Sequence, residues 1–247
     1  MTTFPHILLI GATGRTGRSV ITEALSRGHT VTALARNPSS LDDLLATIPS
    51  QHRSHINVVK GDPTSQSDLV NALNESLKHA ALKPVVIMST LGQTRVSGNP
   101  WSAPTSPPLF MTRAAEALIA SIRSLSPSSK QQISKLVIMS MFGATDSFTN
   151  LHCALKPVMK WSNMKQTLED HDALDQAIRG QDEVKWVMVR PSFLKEGERS
   201  EIRVLGEQGE EDSSWVPSGI TRDSVVIFLL DVAVSGEWDG RTPVVVN

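Results

Sequence analysis

Ile7-Leu8-Leu9-Ile10-Gly11-Ala12-Thr13-Gly14-Arg15-Thr16-Gly17 is the stretch on which the fold turns. The apolar run from His6 to Ile10 ends abruptly at a glycine, the pattern of a buried parallel strand. Beyond it, Val20, Ile21, Ala24 and Leu25 recur at helical spacing within Arg18 to Arg27, and Gly28 supplies a C-terminal cap. The glycines between strand and helix have separate tasks. Gly11 permits the tight turn, Gly14 lets the backbone approach a pyrophosphate, and Gly17 lets the helix pack close to the strand. The first amides of a helix lack internal acceptors and carry a partial positive charge, which suits phosphate. A glycine triplet alone is a weak signal; set between a strand and a helix near the N-terminus, it is a strong one.

Outward from this turn, strands and helices alternate. Thr30 to Ala35, Ile56 to Lys60, Val85 to Ser89 and Leu136 to Ser140 read as strands, followed by Lys185 to Arg190, stopped by Pro191, and by Pro243 to Val246. Helices are expected over Leu69 to Leu77, Leu109 to Leu125, Leu168 to Ile178 and Asp223 to Leu230. The alternation predicts a Rossmann-type doubly wound parallel sheet with helices on both faces, in a single domain over 1–247. Ligands of such sheets lie beyond the carboxyl ends of the strands. The substrate part is expected from loops 93–110, 141–168 and 193–222. Gln93 to Pro108 carries Gly98, Pro100, Pro104, Pro107 and Pro108 and cannot be regular. Gly206 to Gly219 is acidic, with Glu207, Glu210, Glu211 and Asp212. Long loops of this kind are binding loops and lids, or tolerated surface insertions.

Strand two ends in Leu34-Ala35-Arg36-Asn37-Pro38. An acidic residue in this place holds the ribose 2′-hydroxyl of NAD. Arg36 instead matches a 2′-phosphate in charge and geometry, with Arg15 near enough in the turn to assist, so NADPH is favoured over NADH. Asp62, after the third strand, caps the adenine side of the site or the N-terminus of the next helix.

Composition narrows the field. The chain has 247 residues, 40% apolar and 20% charged, with a net charge of −1. No basic stripe points to nucleic acid. No apolar run is long enough to span a bilayer, and Met1 to Ile10 lacks the basic start of a secretion signal. The one cysteine, Cys153, rules out an internal disulfide. A cytoplasmic protein acting on a small-molecule substrate, without a metal, is expected.

The turn with Arg36 resembles the NAD(P)H-binding branch of the atypical short-chain dehydrogenase/reductase group. Val137 to Phe142 looks like that group's fifth-strand serine segment. Glu169-Asp170-His171 with Leu174 and Ile178, Lys185 to Pro191, and the tail Glu237-Trp238-Asp239-Gly240 resemble the biliverdin-IXβ reductase/flavin reductase family. The resemblance implies that Gly11, Thr13, Gly14, Arg15, Thr16 and Gly17 hold the pyrophosphate and Arg36 the 2′-phosphate. It places Leu91 and Gly92 on the adenosine or ribose side, and Ser140, Pro191, Ser192 and Phe193 around the nicotinamide. His171 would sit at the rim of the substrate cleft. The loops 93–108 and 143–165 look longer than in that family.

The main branch of this superfamily uses a Tyr-x-x-x-Lys pair as acid catalyst, and this chain has no tyrosine. His152 and Lys156 share the spacing, as do Trp161 and Lys165, although a solvent-facing helix pair explains them as well. A flavin-, quinone- or enone-like acceptor has its own electron sink and can take its proton from water. Ser140 would then hydrogen-bond substrate or nicotinamide, and His171 would shuttle the proton. Trp101, Met141, Phe142 and Trp161 are the expected substrate contacts, since they follow strands four and five. A redox-neutral isomerase or cyclase, or an NADP-binding regulatory protein, fits the same scaffold.

Overall fold

A computed structural model describes residues 4–209 and 219–247, so Glu210, Glu211 and Asp212 lie outside the described residues. β1 (His6–Ile10) is buried throughout. Its side chains alternate between two cores: Ile7 and Leu9 join one, Leu8 and Ile10 the other. That is the two-residue period of a strand covered on both faces. β2 (Thr30–Ala35), β3 (Ile56–Lys60) and β4 (Val85–Ser89) follow, then β5 (Ile133–Met139) and β6 (Trp186–Pro191). A short pair, β7 (Leu194–Lys195) with β9 (Ile220–Thr221), stands apart from the main sheet. β8 (Arg203–Val204) and β10 (Val244–Val246) complete the main sheet, in the order β3-β2-β1-β4-β5-β6-β10-β8. All neighbours in it are parallel except β8, which runs antiparallel to β10. Pro191 does not stop the sixth strand but is its last member, in register with Val245. Proline lacks only the donor, and its carbonyl accepts the Phe142 N–H at 3.0 Å.

The strand order reverses between β1 and β4. Thr90, just past β4, donates its amide to the Ile10 carbonyl at 2.9 Å and its hydroxyl toward the Gly11 carbonyl at 3.3 Å. The glycine turn and the chain leaving β4 are thereby sewn together at the switch point. α1 (Arg15–Ser26) and α8 (Arg222–Val234) pack against each other, and both contribute to the first core. α3 (Gln66–Ala80), α4 (Phe110–Ser124) and α7 (Met164–Arg179) cover the other face, after the short α2 (Asp42–Thr47). α1 ends as expected: Gly28 at φ +86 donates to Leu25, and His29 donates to Ala24. This paired closure favours glycine.

Two short helices, α5 (Pro127–Gln132) and α6 (Leu155–Trp161), fall where the sequence reads as loop. α6 belongs to a third apolar cluster, in which Phe142, Leu151, Met159 and Leu168 pack with Leu205, Val244 and Val246. The 141–168 segment therefore carries a core of its own against the β10 edge. Lys135, nearly buried, donates to the Val232 carbonyl at 3.0 Å and to Ser235, and pairs with Asp239 at 2.5 Å. It sets a cation at the C-terminus of α8, where the helix dipole favours one.

Candidate active site

The N-terminus of α1 has no cap of its own. Gly14 occupies the cap position, no side chain bonds back, and the first turn contains no acid. α3 and α8, by contrast, are capped by Ser65 and Thr221 and carry Asp68 and Asp223 in their first turns. The free amides of α1 face a cleft of about 380 Å³ lined by Gly11, Thr13, Gly14, Arg15, Thr16, Arg36, Leu91 and Gly92. A Cβ on Gly11 would lie 2.9 Å from the Leu91 nitrogen, and one on Gly17 would lie 2.2 Å from the Gly11 oxygen. A Cβ on Gly14 would meet only the Gly11 oxygen, at 3.4 Å. Gly11 and Gly17 thus serve backbone packing, with Gly17 behind the cleft, whereas Gly14 keeps the approach open. Uncapped amides, an open glycine and surrounding guanidiniums suit a dinucleotide's phosphates.

Asp62 takes neither expected role. It does not line the cleft; its neighbour Pro63 does. Ser65 caps α3, and Asp62 accepts the Thr64 amide at 2.8 Å and hydroxyl at 2.6 Å in a local turn. Partial burial pushes the Asp62 carboxyl up, but the Thr64 bonds and the Arg36 charge carry it below its ordinary value. Sequence reading missed Arg222. At the start of α8 it reaches the cleft, donates to Thr16 Oγ1 at 2.8 Å and to Glu196 at 3.2 Å, and keeps a buried Nε without a partner. Arg15 binds the same Glu196 carboxylate at 3.0 Å.

Leu91, Gly92 and Gln93 form a wall shared with a second, mostly apolar cavity of about 520 Å³. Ser140, Met141, Phe142, His171, Ser192 and Phe193 line it. Pro191 is buried but not part of the lining. Trp101 and Trp161 are 64% and 81% exposed and do not reach the cavity. Aromatic composition after a strand does not fix the direction in which a side chain points. His152 and Lys156 are likewise outside it; Lys156 donates to the Thr149 carbonyl at 2.7 Å.

His171 lies within the wall rather than at a solvent rim, with its Nδ1 3.1 Å from Ser140 Oγ. Burial lowers its pKa to about 4; the Asp170 charge opposes this and Arg190 adds to it. The ring is therefore neutral at pH 7. The adjacent Asp170 caps a helix in trans. α4 starts at Leu109 in the left-handed region without a side-chain cap. Asp170 accepts the Met111 and Thr112 amides at 3.0 Å each and the Thr112 hydroxyl at 2.8 Å. It also accepts from Gln93 Nε2, which ties the shared wall to α7. Gln166 holds the same segment through Gln93 Oε1 at 3.1 Å and the Ser106 carbonyl at 3.0 Å. The 93–108 loop, irregular as expected, is thus fastened along α7.

A family model described as NAD(P)H-binding matches residues 11–235 of this sequence. The chain belongs to the NAD(P)H-binding family. Among the relatives of this NAD(P)H-binding chain is reductase pytE of Aspergillus terreus, 27% identical over 239 residues, covering 90% of this chain and 88% of pytE. ChuY, an anaerobillin reductase from Escherichia coli O157:H7, shares the fold with a TM-score of 0.67 at 17% identity, covering 97% of this chain and 96% of its own. The oxidoreductase ylbE from Lactococcus lactis does so with a TM-score of 0.67 at 15% identity, covering 98% and 90%. These similarities agree with the expectation of a nicotinamide-dependent oxidoreductase.

Buried histidines give this NAD(P)H-binding domain a pH signature, with His29 shifted down by burial in the same direction as His6 and His171. His6 bonds Thr30 and Thr32, and burial, then the His79 and Lys83 charges, lower its pKa to about 3. His171 lies at about 4. Both are neutral when folded and protonate near 6.5 when unfolded. The unfolded state therefore binds more protons as pH falls below about 6.5, and stability drops from there toward about pH 4. The urea midpoint should be lower at pH 5 than at pH 7, and less so in His171→Asn. Equal midpoints would contradict the burial of both rings.

Proposed function

We propose that the protein is an NADPH-dependent reductase that passes a hydride to a conjugated, largely apolar small molecule. The observation carrying this reading is the junction of the two cavities. A cleft fitted for the cofactor's phosphates adjoins, at Leu91 to Gln93, an apolar chamber with Ser140 at the end of β5. When bound, NADPH supplies the hydride, that is, two electrons and one proton.

The chain's own residues bind and orient. The α1 amides with Arg15 and Arg222 hold the diphosphate, and Arg36 holds the 2′-phosphate. Ser192 and Phe193 border the nicotinamide side. The Ser140 hydroxyl donates to an oxygen of the substrate, and neutral His171 is a positioning residue that orients that hydroxyl. In this reading His171 does not take the proton-shuttle role expected for it, since burial keeps the ring from holding the extra proton of an imidazolium at neutral pH. With no tyrosine in the chain, the reading favours substrates whose electron sink needs no strong acid catalyst. Flavins, quinones and enones are of this class, and water supplies their proton. The reductase names of pytE and ChuY support the reaction type.

Purified protein should oxidise NADPH in the presence of a panel of flavins, naphthoquinones and enones, followed by nicotinamide absorbance. No turnover with any of them sinks the proposal. Arg36→Glu should weaken NADPH binding by about 10- to 100-fold in calorimetry while changing NADH binding little, as expected for loss of a charge-assisted contact. Unchanged NADPH affinity would remove Arg36 from the phosphate site.

A further inference from the structure

Among the residues that line the apolar cavity, Arg95 is the one permanent charge; no Asp, Glu or Lys side chain is among them. It sits on the 93–108 loop, where it bridges Pro104, and its Nη1 donates to Thr167 Oγ1 of α7 at 3.2 Å. That bond fixes the guanidinium against the chamber. Its Nε is buried without a partner. Among the described residues no carboxylate pairs with it. The one side-chain bond goes through Nη1, so Nη2 keeps its hydrogens for a ligand's oxygen.

We infer that the substrate of this cavity is an amphipathic anion, whose carboxylate pairs with the Arg95 guanidinium at Nη2 while its conjugated body fills the apolar chamber. The inference rests on the reductase reading for what the chamber does, but not for what it binds. Arg95 is then a specificity residue: it selects the acid over its neutral analogue and anchors the charged end of the ligand.

The test uses the full chain loaded with NADP⁺ and titrated calorimetrically with 4-phenylcinnamate and with its methyl ester. The acid should bind about 10- to 100-fold more tightly than the ester, the span of charge-assisted hydrogen bonds. Arg95→Ala should bring the acid down to the ester's affinity. Arg95→Lys should restore part of the preference, since it returns the charge without the fork. Binding of NADP⁺ by each variant reports that it is folded, and the wild-type comparison decides the matter if a variant is not. The inference is overturned if the wild-type protein binds the acid no better than the ester, or not at all, or if the preference survives in Arg95→Ala. Turnover separates the two readings. A 2-methyl-1,4-naphthoquinone bearing a propionate at the neighbouring ring carbon should show a lower KM than its methyl ester. Equal KM values for acid and ester overturn the anion site and leave the reductase standing. Acid-selective, Arg95-dependent binding without any NADPH oxidation does the reverse.

Discussion

Replacing Asp175 by alanine should lower the stability of this protein by about 3–5 kcal/mol, the range for breaking one side of a buried ion pair. Arg190 is 0% exposed, next to last in β6. Its Nη2 donates to Asp175 at 2.7 Å and to Thr145 Oγ1 at 2.6 Å. Its Nη1 donates to Asp146 at 2.5 Å and to the Glu207 carbonyl at 3.1 Å. Asp175 is the only fully enclosed acid of that set, since Asp146 is partly exposed. Its removal leaves the enclosed guanidinium to the partly exposed Asp146 and takes a partner from Arg179 as well. The same network holds Thr145 at φ +45, a conformation costly for a β-branched residue. The damage should therefore extend to the 141–168 segment and the cavity wall that it carries. Urea unfolding measures the loss. The double variant Arg190→Met/Asp175→Ala should be more stable than Asp175→Ala alone, because the enclosed guanidinium goes with its enclosed partner and Arg179 still faces Asp146 at 3.5 Å. A double variant less stable than the single one would refute the ion-pair account.

Replacing Gly17 by alanine should abolish detectable NADPH binding and depress the melting temperature as well. The new methyl group would lie 2.2 Å from the Gly11 oxygen and 2.9 Å from the Ala12 Cα, with only backbone to give way. The Gly11 oxygen also accepts the Gly14 amide at 3.1 Å, so the whole turn must move. Gly14→Ala separates packing from binding. Its backbone, at φ −71 and ψ 161, accepts alanine, and the new Cβ meets nothing closer than 3.4 Å. This variant should melt like the wild type yet bind NADPH about tenfold or more weakly, because the methyl group stands where phosphate approaches. Wild-type affinity in Gly14→Ala would show that the cofactor does not dock on this turn.

The pattern of strands was legible because each is a local run. β1, β2, β3 and β4 have the bounds expected from apolar runs closed by Gly, Asp or Ser. The cleft at the glycine turn was legible for the same reason: its glycines and Arg36 follow the ends of β1 and β2 directly. What escaped is whatever depends on distant parts of the chain. Asp170 caps α4 across 59 residues of sequence, and Arg222 meets Thr16 across 206. No periodicity records such pairings. The third apolar cluster escaped because its members come from the 141–168 segment, Leu205 and β10, with no single period among them. Trp101 and Trp161 misled because they are prominent in composition, while the less conspicuous Met139, Met159 and Met164 furnish the cavity alongside the expected Met141 and Phe142.

Leu91, Gly92 and Gln93 belong to two chambers at once, and thermodynamics makes that partition a channel of communication. Any occupant of the nucleotide side that displaces this tripeptide alters the affinity of the apolar side by some factor. An occupant of the apolar side must then alter nucleotide affinity by the same factor. The coupling between the two sides is thus carried by one stretch of three residues, pinned on its far side by Asp170 and Gln166.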